Sequence, residues 1–430
     1  MKPTLFKIPD EVFGIPIFGV GLLLGIVVLA AIGTTIHLIV RHKKNAGSDS
    51  TSLGKELMGQ LPFWALLAVI IVWILPAIMQ GHDGLPVRGY GTMLLCAVTL
   101  ATLLGIWRGH KIDMSPDQVI SLVFWIFVPG ILGARIFYIT EYWNDLQRDT
   151  MWETLGQLVN ITSGGLVVYG SVIGGMIGII GFTAWHRLRF LTVVDMLAPC
   201  LMLGIAIGRL GCLMFGCCFG GVCDHTWAVT FPGSPDAAPA YISQYERGTL
   251  LGIQFASDPE APSVLVEVKP DSPAYDAGLR SGDQIIGLNG LMTRNNRELR
   301  TVWVSCCSEL GKMDSLKIQK KDGTVIVVPL PERSLPVHPT QIYSSLNGFF
   351  IFLFLMALSP FLPYEGMMFA TVMTIYPITR FLLEIIRTDE AAIFGTGLSI
   401  SQNVSIVLLL GIAGLWLYIL VRRRPVYSCE

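Results

Sequence analysis

Nine predominantly apolar runs of about 20 residues recur along the chain, the length that a helix rising 1.5 Å per residue needs to cross a bilayer core of about 30 Å. They lie near 14–40, 62–80, 88–107, 118–140, 164–185, 192–213, 342–361, 366–385 and 401–421. Hydrocarbon offers no partner to a backbone N–H or C=O, so such runs predict helices that satisfy their own hydrogen bonds. The expected fold class is therefore a multi-pass α-helical membrane protein with about nine transmembrane helices. Of the 430 residues only 14% are charged, against roughly 25% in soluble domains, which excludes a wholly cytosolic enzyme. The 30 basic residues are balanced by 31 acidic ones and no long basic run stands out, so binding to nucleic acid through bulk charge is excluded too.

Basic clusters set the expected orientation. Arg41, Lys43 and Lys44 follow the first run, Arg108 and Lys111 the third, Arg187 and Arg189 the fifth, and Arg422 to Arg424 the ninth. Placed inside by the positive-inside rule, they put the N-terminus outside and the C-terminus in the cytoplasm. The first run lacks the basic flank and small-residue cleavage site of a signal peptide. A weak repeat, Ile15 to Gly21 against Leu85 to Gly91, opens the first and third helices alike. Residues 1–84 are accordingly expected to be a two-helix extension placed before a seven-helix body. Of the two copies only the second holds Arg88 and Tyr90, which places function there.

Charge is unevenly spread. Residues 221–337 hold 25 of the 61 charged residues. Short β-type runs appear there at 250–255, 263–268, 284–288, 315–319 and 324–328, with turn signals at Asn289-Gly290 and Asp322-Gly323. The expected domains are 1–84, a first part of the membrane body at 85–221, an extracytoplasmic insert at 222–337 with its core at 248–332, and a second part of the body at 338–430. Ser272-Pro273-Ala274, Ala277-Gly278-Leu279-Arg280-Ser281-Gly282-Asp283-Gln284-Ile285-Ile286 and Leu288-Asn289-Gly290 resemble the central motif of the PDZ family. The resemblance implies a small β-rich domain that adds an extended peptide to a sheet edge and captures its C-terminal carboxylate. Thr249 to Ile253 would be the carboxylate loop. A spacer without ligand is the other reading of the insert.

Ionisable residues within spanning helices cost several kcal/mol and normally face a cavity or a partner. Arg135, Arg209, Arg380, Glu384 and Arg387, with Tyr90, Tyr169, Tyr376 and His338, all fall toward the extracytoplasmic ends on this topology. One such arginine is explained by snorkelling or by local pairing, as Arg380 with Glu384 at i,i+4. Several from different helices in one leaflet form a site for an anion, and the phosphate at hand is a phospholipid headgroup.

Six motifs then recur in order. They are Pro86-Val87-Arg88-Gly89-Tyr90-Gly91, Gly133-Ala134-Arg135, Gly164-Gly165-Leu166-Val167-Val168-Tyr169-Gly170, Ala198-Pro199 with Gly208-Arg209-Leu210-Gly211, His338-Pro339-Thr340-Gln341-Ile342-Tyr343, and Tyr376 with Arg380-Phe381 and Glu384 to Arg387. Together the chain resembles the prolipoprotein diacylglyceryl transferase family from about residue 85 to 421, interrupted by the insert. The resemblance implies a bacterial inner-membrane enzyme that moves the diacylglyceryl group of phosphatidylglycerol onto the lipobox cysteine of a prolipoprotein signal peptide, without a cofactor. Arg209 and Arg380 would hold the phosphate, and Glu384 would orient Arg380. Tyr90, Tyr376, Gly211 and Gly220 match family site positions. Arg135 and Arg387 join the expected lipid-binding set.

Two departures stand out. Tyr169 occupies the position of the family's usual histidine, which leaves Tyr169, His338 or the phosphate itself as the base. After Arg209 the family's polar Asn, Asn and Glu are replaced by Cys212, Phe215 and Cys217. With Cys218 and Cys223 these cysteines allow one or two disulfides or a set of packing thiols. The C-x4-C-C-x4-C array could also bind a metal, but it lacks the C-x2-C knuckles of common zinc sites, so no metal is the expectation. The losses also leave a second reading, a non-catalytic relative that binds phospholipid or signal peptides. The enzyme is favoured because the arginine, tyrosine and His-Pro-x-Gln elements all survive. A PDZ-bearing intramembrane protease is set aside, since no His-Glu-x-x-His motif is present.

Overall fold

The computed structural model describes residues 4–12, 15–17, 21–44, 64, 68, 71–72, 85–147, 150–159, 165, 167–233, 238–255, 258, 260–305, 315–387 and 397–422. The chain divides into two compact units, Lys2–Gly89 and Tyr90–Glu430. In the first, strand β1 (Thr4–Ile8) pairs antiparallel with β2 (Leu85–Arg88), and helix α1 spans Leu22–Lys44. The first helix was expected from residue 14, but Ile15 and Pro16 instead pair with Val12 and Glu11. Pro16 has no amide hydrogen for a helical bond, and Gly19 and Gly21 lower the helical preference further. The expected helix at 62–80 lies largely outside the described residues.

In the second unit the helices are α2 (Gly89–Gly109), α3 (Pro116–Glu141), α4 (Met151–Val159), α5 (Val168–Trp185), α6 (Phe190–Phe215), α7 (Pro239–Glu246), α8 (Asn296–Ser305), α9 (Thr340–Leu358), α10 (Met367–Glu384) and α11 (Ile400–Arg422). Among the described residues six helices are long and apolar enough to cross a membrane: Gly89–Ile112, Pro116–Glu141, Val168–Trp185, Phe190–Phe215, Thr340–Phe361 and Ile400–Arg422. Within α1 the apolar stretch Leu22–Ile36 is shorter. Helix α10 has 18 residues and carries Arg380 and Glu384. The architecture is thus multi-pass helical, as expected, with six of the nine runs meeting that length criterion in the described residues.

Local chemistry sets the helix ends. A capping box of Ser115 and Gln118, with Pro116 in the first turn, starts α3. Helix α5 begins at Val168 rather than at 164, because Gly165 stands at φ +80° and breaks the helical path. Between α3 and α5 lies α4, whose Met151 and Trp152 are more than four-fifths exposed. An amphipathic helix with an exposed tryptophan suits the membrane–water boundary.

Helices α3 and α5 cross through glycine. A Cβ on Gly170 would overlap the carbonyl oxygen of Gly133, one on Gly174 that of Pro129, and one on Gly178 that of Trp125. This small-xxx-small stripe lets the backbones touch, which is how helices gain packing energy where lipid removes the hydrophobic drive. Helix α9 packs on α6 with Gly348 against Met202 and Ala206, and Ser345 donates to the Ala206 carbonyl at 2.6 Å. Ala198, Met202, Ile351, Leu355, Met368 and Val372 form the core that joins α6, α9 and α10.

A buried carboxylate joins two of these helices at their other end. Asp195 of α6 accepts the amides of Gly366 at 2.5 Å and Phe369 at 2.8 Å, and so satisfies two N-terminal donors of α10. Buried Arg108 donates to the carbonyl of Met196 at 3.2 Å beside it. Asp195→Ala removes both acceptors and is expected to lower stability by about 1–3 kcal/mol. A fall in the thermal unfolding midpoint in detergent, followed by tryptophan fluorescence, checks this. An unchanged midpoint would contradict the capping role.

The insert has its own core of Tyr241, Tyr245, Leu250, Leu251, Ile253, Leu265, Leu279, Ile285, Leu288, Leu316 and Ile318. Strands β3 (Ile253–Phe255) and β4 (Leu265–Val268) pair antiparallel. β5 (Gln284–Leu288), β6 (Leu291–Met292), β7 (Ser315–Gln319) and β8 (Val325–Pro329) form a sheet of order β8-β7-β5-β6. Asn289 and Gly290 take φ of +50° and +82°, which makes the tight hairpin that Asn-Gly predicts. The core reaches back to Tyr241 and Tyr245, outside the expected 248–332. A second cluster of Phe219, Phe231, Ala238, Ala240 and Val337 packs with Leu213 of α6 and seats the insert on the membrane body.

Candidate active site

The C-terminal end of α6 carries Arg209, half-buried and within electrostatic reach of Tyr376, Cys212, Cys218 and Arg387. Tyr90, in the first turn of α2, lies in the same field, near Arg209 and the three cysteines 212, 217 and 218. Gly211 makes that approach possible, since a Cβ there would stand 3.3 Å from the Tyr90 ring and 3.2 Å from Met93 Cβ. Tyr90 also meets Phe215, with ring centroids 6.1 Å apart.

From α10, Arg380 pairs with Glu384 one turn on, and Arg387 approaches the same Glu384 oxygen at 3.6 Å. The Glu384 side chain is only 3% exposed. Among the described residues one carboxylate thus stands between two guanidinium groups, and Arg209 lies within electrostatic reach of Arg387. Guanidinium forks bind phosphate oxygens bidentately, so such a group suits an anion. Ser401 of α11 accepts from Arg380 Nη2 at 3.1 Å and helps to set the orientation of that fork.

The segment after α6 closes the site. Gly220 pairs with Arg387 as an isolated bridge, its amide donates to the His338 carbonyl at 3.0 Å, and the Gly221 amide donates to Ile386 at 3.1 Å. Gly220 has no room for a side chain, because a Cβ would lie 2.7 Å from His338 Cβ and 2.8 Å from Thr340 Cγ2. His338 Nδ1 lies 3.4 Å from the Tyr343 hydroxyl, which accepts from Trp227 Nε1 at 2.8 Å. Its neighbours Thr340 and Gln341 donate to the carbonyls of Cys218 and Cys217, each at 2.6 Å. Sequence reasoning singled out the His-Pro-x-Gln element for its histidine and missed these two clamps. It missed Ser401 as well, a residue that nothing in the local pattern marks.

The residues expected at the site do not all share it in the same way. Arg209, Tyr376, Arg387, Glu384 and Arg380 form one connected group, with Tyr90, Gly211 and Gly220 shaping its walls. Arg135 is buried, and its Nε and Nη1 donate to the carbonyls of Leu158 at 2.9 Å and Gly165 at 3.0 Å, while Nη2 donates to Gln157. It caps the C-terminal end of α4, where a cation also suits the helix dipole. Tyr169 lies in the first turn of α5, next to the Gly170–Gly133 crossing. Cys212, Cys217, Cys218 and Cys223, for which disulfides stood open, are all free thiols.

Known proteins share this arrangement of sequence. The family described as Prolipoprotein diacylglyceryl transferase matches residues 76–419. A phosphatidylglycerol–prolipoprotein diacylglyceryl transferase of Rhodopirellula baltica is 33% identical over 445 aligned positions, covering 95% of this chain and 87% of that protein. One of Clostridium perfringens is 25% identical over 335, covering 78% of this chain and 91% of that protein. The match takes in both halves of the membrane body on either side of the insert, and with them Arg209 and Arg380, so the chain belongs to the prolipoprotein diacylglyceryl transferase family.

Proposed function

We propose that this protein transfers the sn-1,2-diacylglyceryl group of phosphatidylglycerol to the lipobox cysteine of prolipoproteins, forming a thioether and releasing glycerol 1-phosphate. The observation that carries the reading is the pair Arg380 and Arg387 held by Glu384, with Arg209 within electrostatic reach of Arg387. In the reaction the acceptor sulfur, as thiolate, attacks the sn-3 carbon of the glyceryl group. The C–O bond to the phosphate breaks and its electron pair leaves on the phosphate oxygen. Preorganised cations beside that oxygen stabilise the developing charge without having to reorganise. Arg209 and Arg380 fill this role, Glu384 and Ser401 position Arg380, and Tyr376 and Tyr90 line the headgroup. Reconstitution in phosphatidylglycerol liposomes with a lipobox peptide, read by mass spectrometry, tests the reading. A folded protein that yields no diacylglyceryl adduct would overturn it.

Tyr169, which stands where the family usually has histidine, is a poor base with a reference pKa of about 10. Its hydroxyl suits hydrogen bonding to the phosphate or relay of a proton, with His338 as the alternative acceptor. Loss of one such bond is worth about 1 kcal/mol, so Tyr169→Phe is expected to slow transfer roughly fivefold to tenfold. An unchanged rate would remove Tyr169 from the chemistry.

In this reading the site faces the extracytoplasmic side, the C-terminus lies in the cytoplasm, and the N-terminus and insert lie outside. The insert is a PDZ-like module that recruits a C-terminal peptide. Gly252, at φ +72° in the loop before β3, and the short edge formed by Ile253–Phe255 support a strand-addition site. Deleting 248–332 is then expected to spare transfer to a short lipobox peptide. Loss of transfer in a protein that still folds would make the insert part of the site.

A further inference from the structure

Three sulfurs converge where α6 ends. Cys212 sits in its last turn, Cys217 and Cys218 follow the cap, and the Sγ atoms of all three lie within 4.8 Å of one another. Spacing alone hides this grouping. Gly216, at φ +84°, turns the chain back so that its own amide and that of Cys217 both donate to the Cys212 carbonyl, at 2.8 and 3.2 Å. The Gln341 and Thr340 side chains then hold the Cys217 and Cys218 carbonyls. Cys218 stands at φ +58°, a left-handed conformation that a residue with a β-carbon adopts at roughly 1–2 kcal/mol. The surrounding clamps therefore maintain an unfavourable backbone, and the result is a three-sulfur cluster.

Thiolates about 2.3 Å from a tetrahedral zinc lie about 3.8 Å apart, a separation that this grouping accommodates. A disulfide needs about 2.05 Å and could join only two of the three. Soft sulfur ligands select zinc among the common divalent ions. No histidine or carboxylate among the described residues joins the cluster. Three protein ligands with a fourth position open is the arrangement of a catalytic rather than a structural zinc site. Zinc with three thiolates carries one net negative charge, and Arg209 stands beside the cluster to balance it.

We propose that Cys212, Cys217 and Cys218 bind one zinc ion and that its open position takes the acceptor cysteine as a thiolate. The second half rests on the transferase reading given above. A thiol with a reference pKa of about 8.5 is mostly protonated near neutrality, whereas coordination to zinc deprotonates it outright. The bound sulfur forms the bond to the glyceryl carbon, and the C–O electron pair leaves on the glycerol phosphate. That phosphate takes up a proton equivalent to the one the thiol released, and zinc keeps its oxidation state. The thiolate is thereby supplied in a chain that has Tyr169 in the place of the family's histidine. It also gives a role to the cysteines that replace the family's polar residues after Arg209.

Zinc analysis of the purified full chain in detergent should find about one ion per protein. The double variant Cys217→Ser, Cys218→Ser should lower that content about tenfold or more, and Cys223→Ser should not. Cobalt exchanged into the wild-type chain should show thiolate-to-cobalt charge transfer, and a lipobox peptide should change that band while its Cys→Ser counterpart does not. Absence of both zinc and the cobalt band, or a disulfide between any two of the three in a non-reducing peptide map, would overturn the site. A cobalt band that does not respond to the peptide would overturn its role toward the acceptor. If the metal and peptide responses hold but liposomes yield no adduct, the transferase reading fails and the zinc site stands.

Discussion

Arg380→Ala should abolish diacylglyceryl transfer, lowering it about 10²- to 10³-fold, the loss seen when one preorganised donor to a developing oxyanion is removed. Two effects add here. The phosphate loses a guanidinium, and Glu384, whose side chain is 3% exposed, keeps its charge after losing its Arg380 partner, with Arg387 at 3.6 Å. Removing one partner of a buried pair costs about 3–5 kcal/mol when the other charge stays. The two are separated by Arg380→Ala combined with Glu384→Gln, which should recover folding but not activity. Arg380→Lys keeps the charge and loses the fork, so it should bind the lipid and turn over slowly. Transfer to a lipobox peptide in phosphatidylglycerol liposomes, with a thermal unfolding midpoint for each variant, distinguishes these outcomes. Retention of more than about a tenth of wild-type activity by Arg380→Ala would remove the residue from the chemistry.

Gly178→Leu should yield little folded protein. Its Cβ would overlap the Trp125 carbonyl oxygen, and a backbone group cannot move aside unless α3 and α5 separate along their whole crossing. Overpacking costs about 1–3 kcal/mol in a soluble core that can adjust, and a backbone contact repeated at Gly170 and Gly174 adjusts less. Gly174→Leu should behave alike. Gly156→Leu, on α4 with open space around it, is the matched control and should fold normally. The yield of monodisperse protein in detergent reads the difference. Normal recovery of Gly178→Leu would show that the close crossing is not required. Tyr169 and Arg135 flank this crossing, so milder substitutions such as Gly170→Ala should disturb activity before they prevent folding.

Some of the site could be read from residue order. Arg209, Tyr376, Glu384 and Arg387 stand out because charged and phenolic groups are rare in apolar runs, and the structure draws them together. Arg135 carries the same signal, yet its guanidinium serves the backbone of α4, because a helix C-terminus happens to end beside it. Thr340, Gln341 and Ser401 carry no signal at all. Their hydroxyls and amide are ordinary in sequence and gain meaning only from the carbonyls and guanidinium they meet.

The sequence by itself determined the elements: apolar length predicts spanning helices, and Asn-Gly a tight hairpin. These follow from interactions within a few residues, a rise of 1.5 Å and a backbone that must satisfy itself in lipid. What the tertiary structure decided is which polar groups share a place. The clamps on Cys218 and Cys217 come from residues 122 and 124 positions away. Glycine crossings and turns, rather than any local pattern, bring such groups within hydrogen-bond reach. The same cysteine spacing that argued against a metal therefore folds into three neighbouring sulfurs.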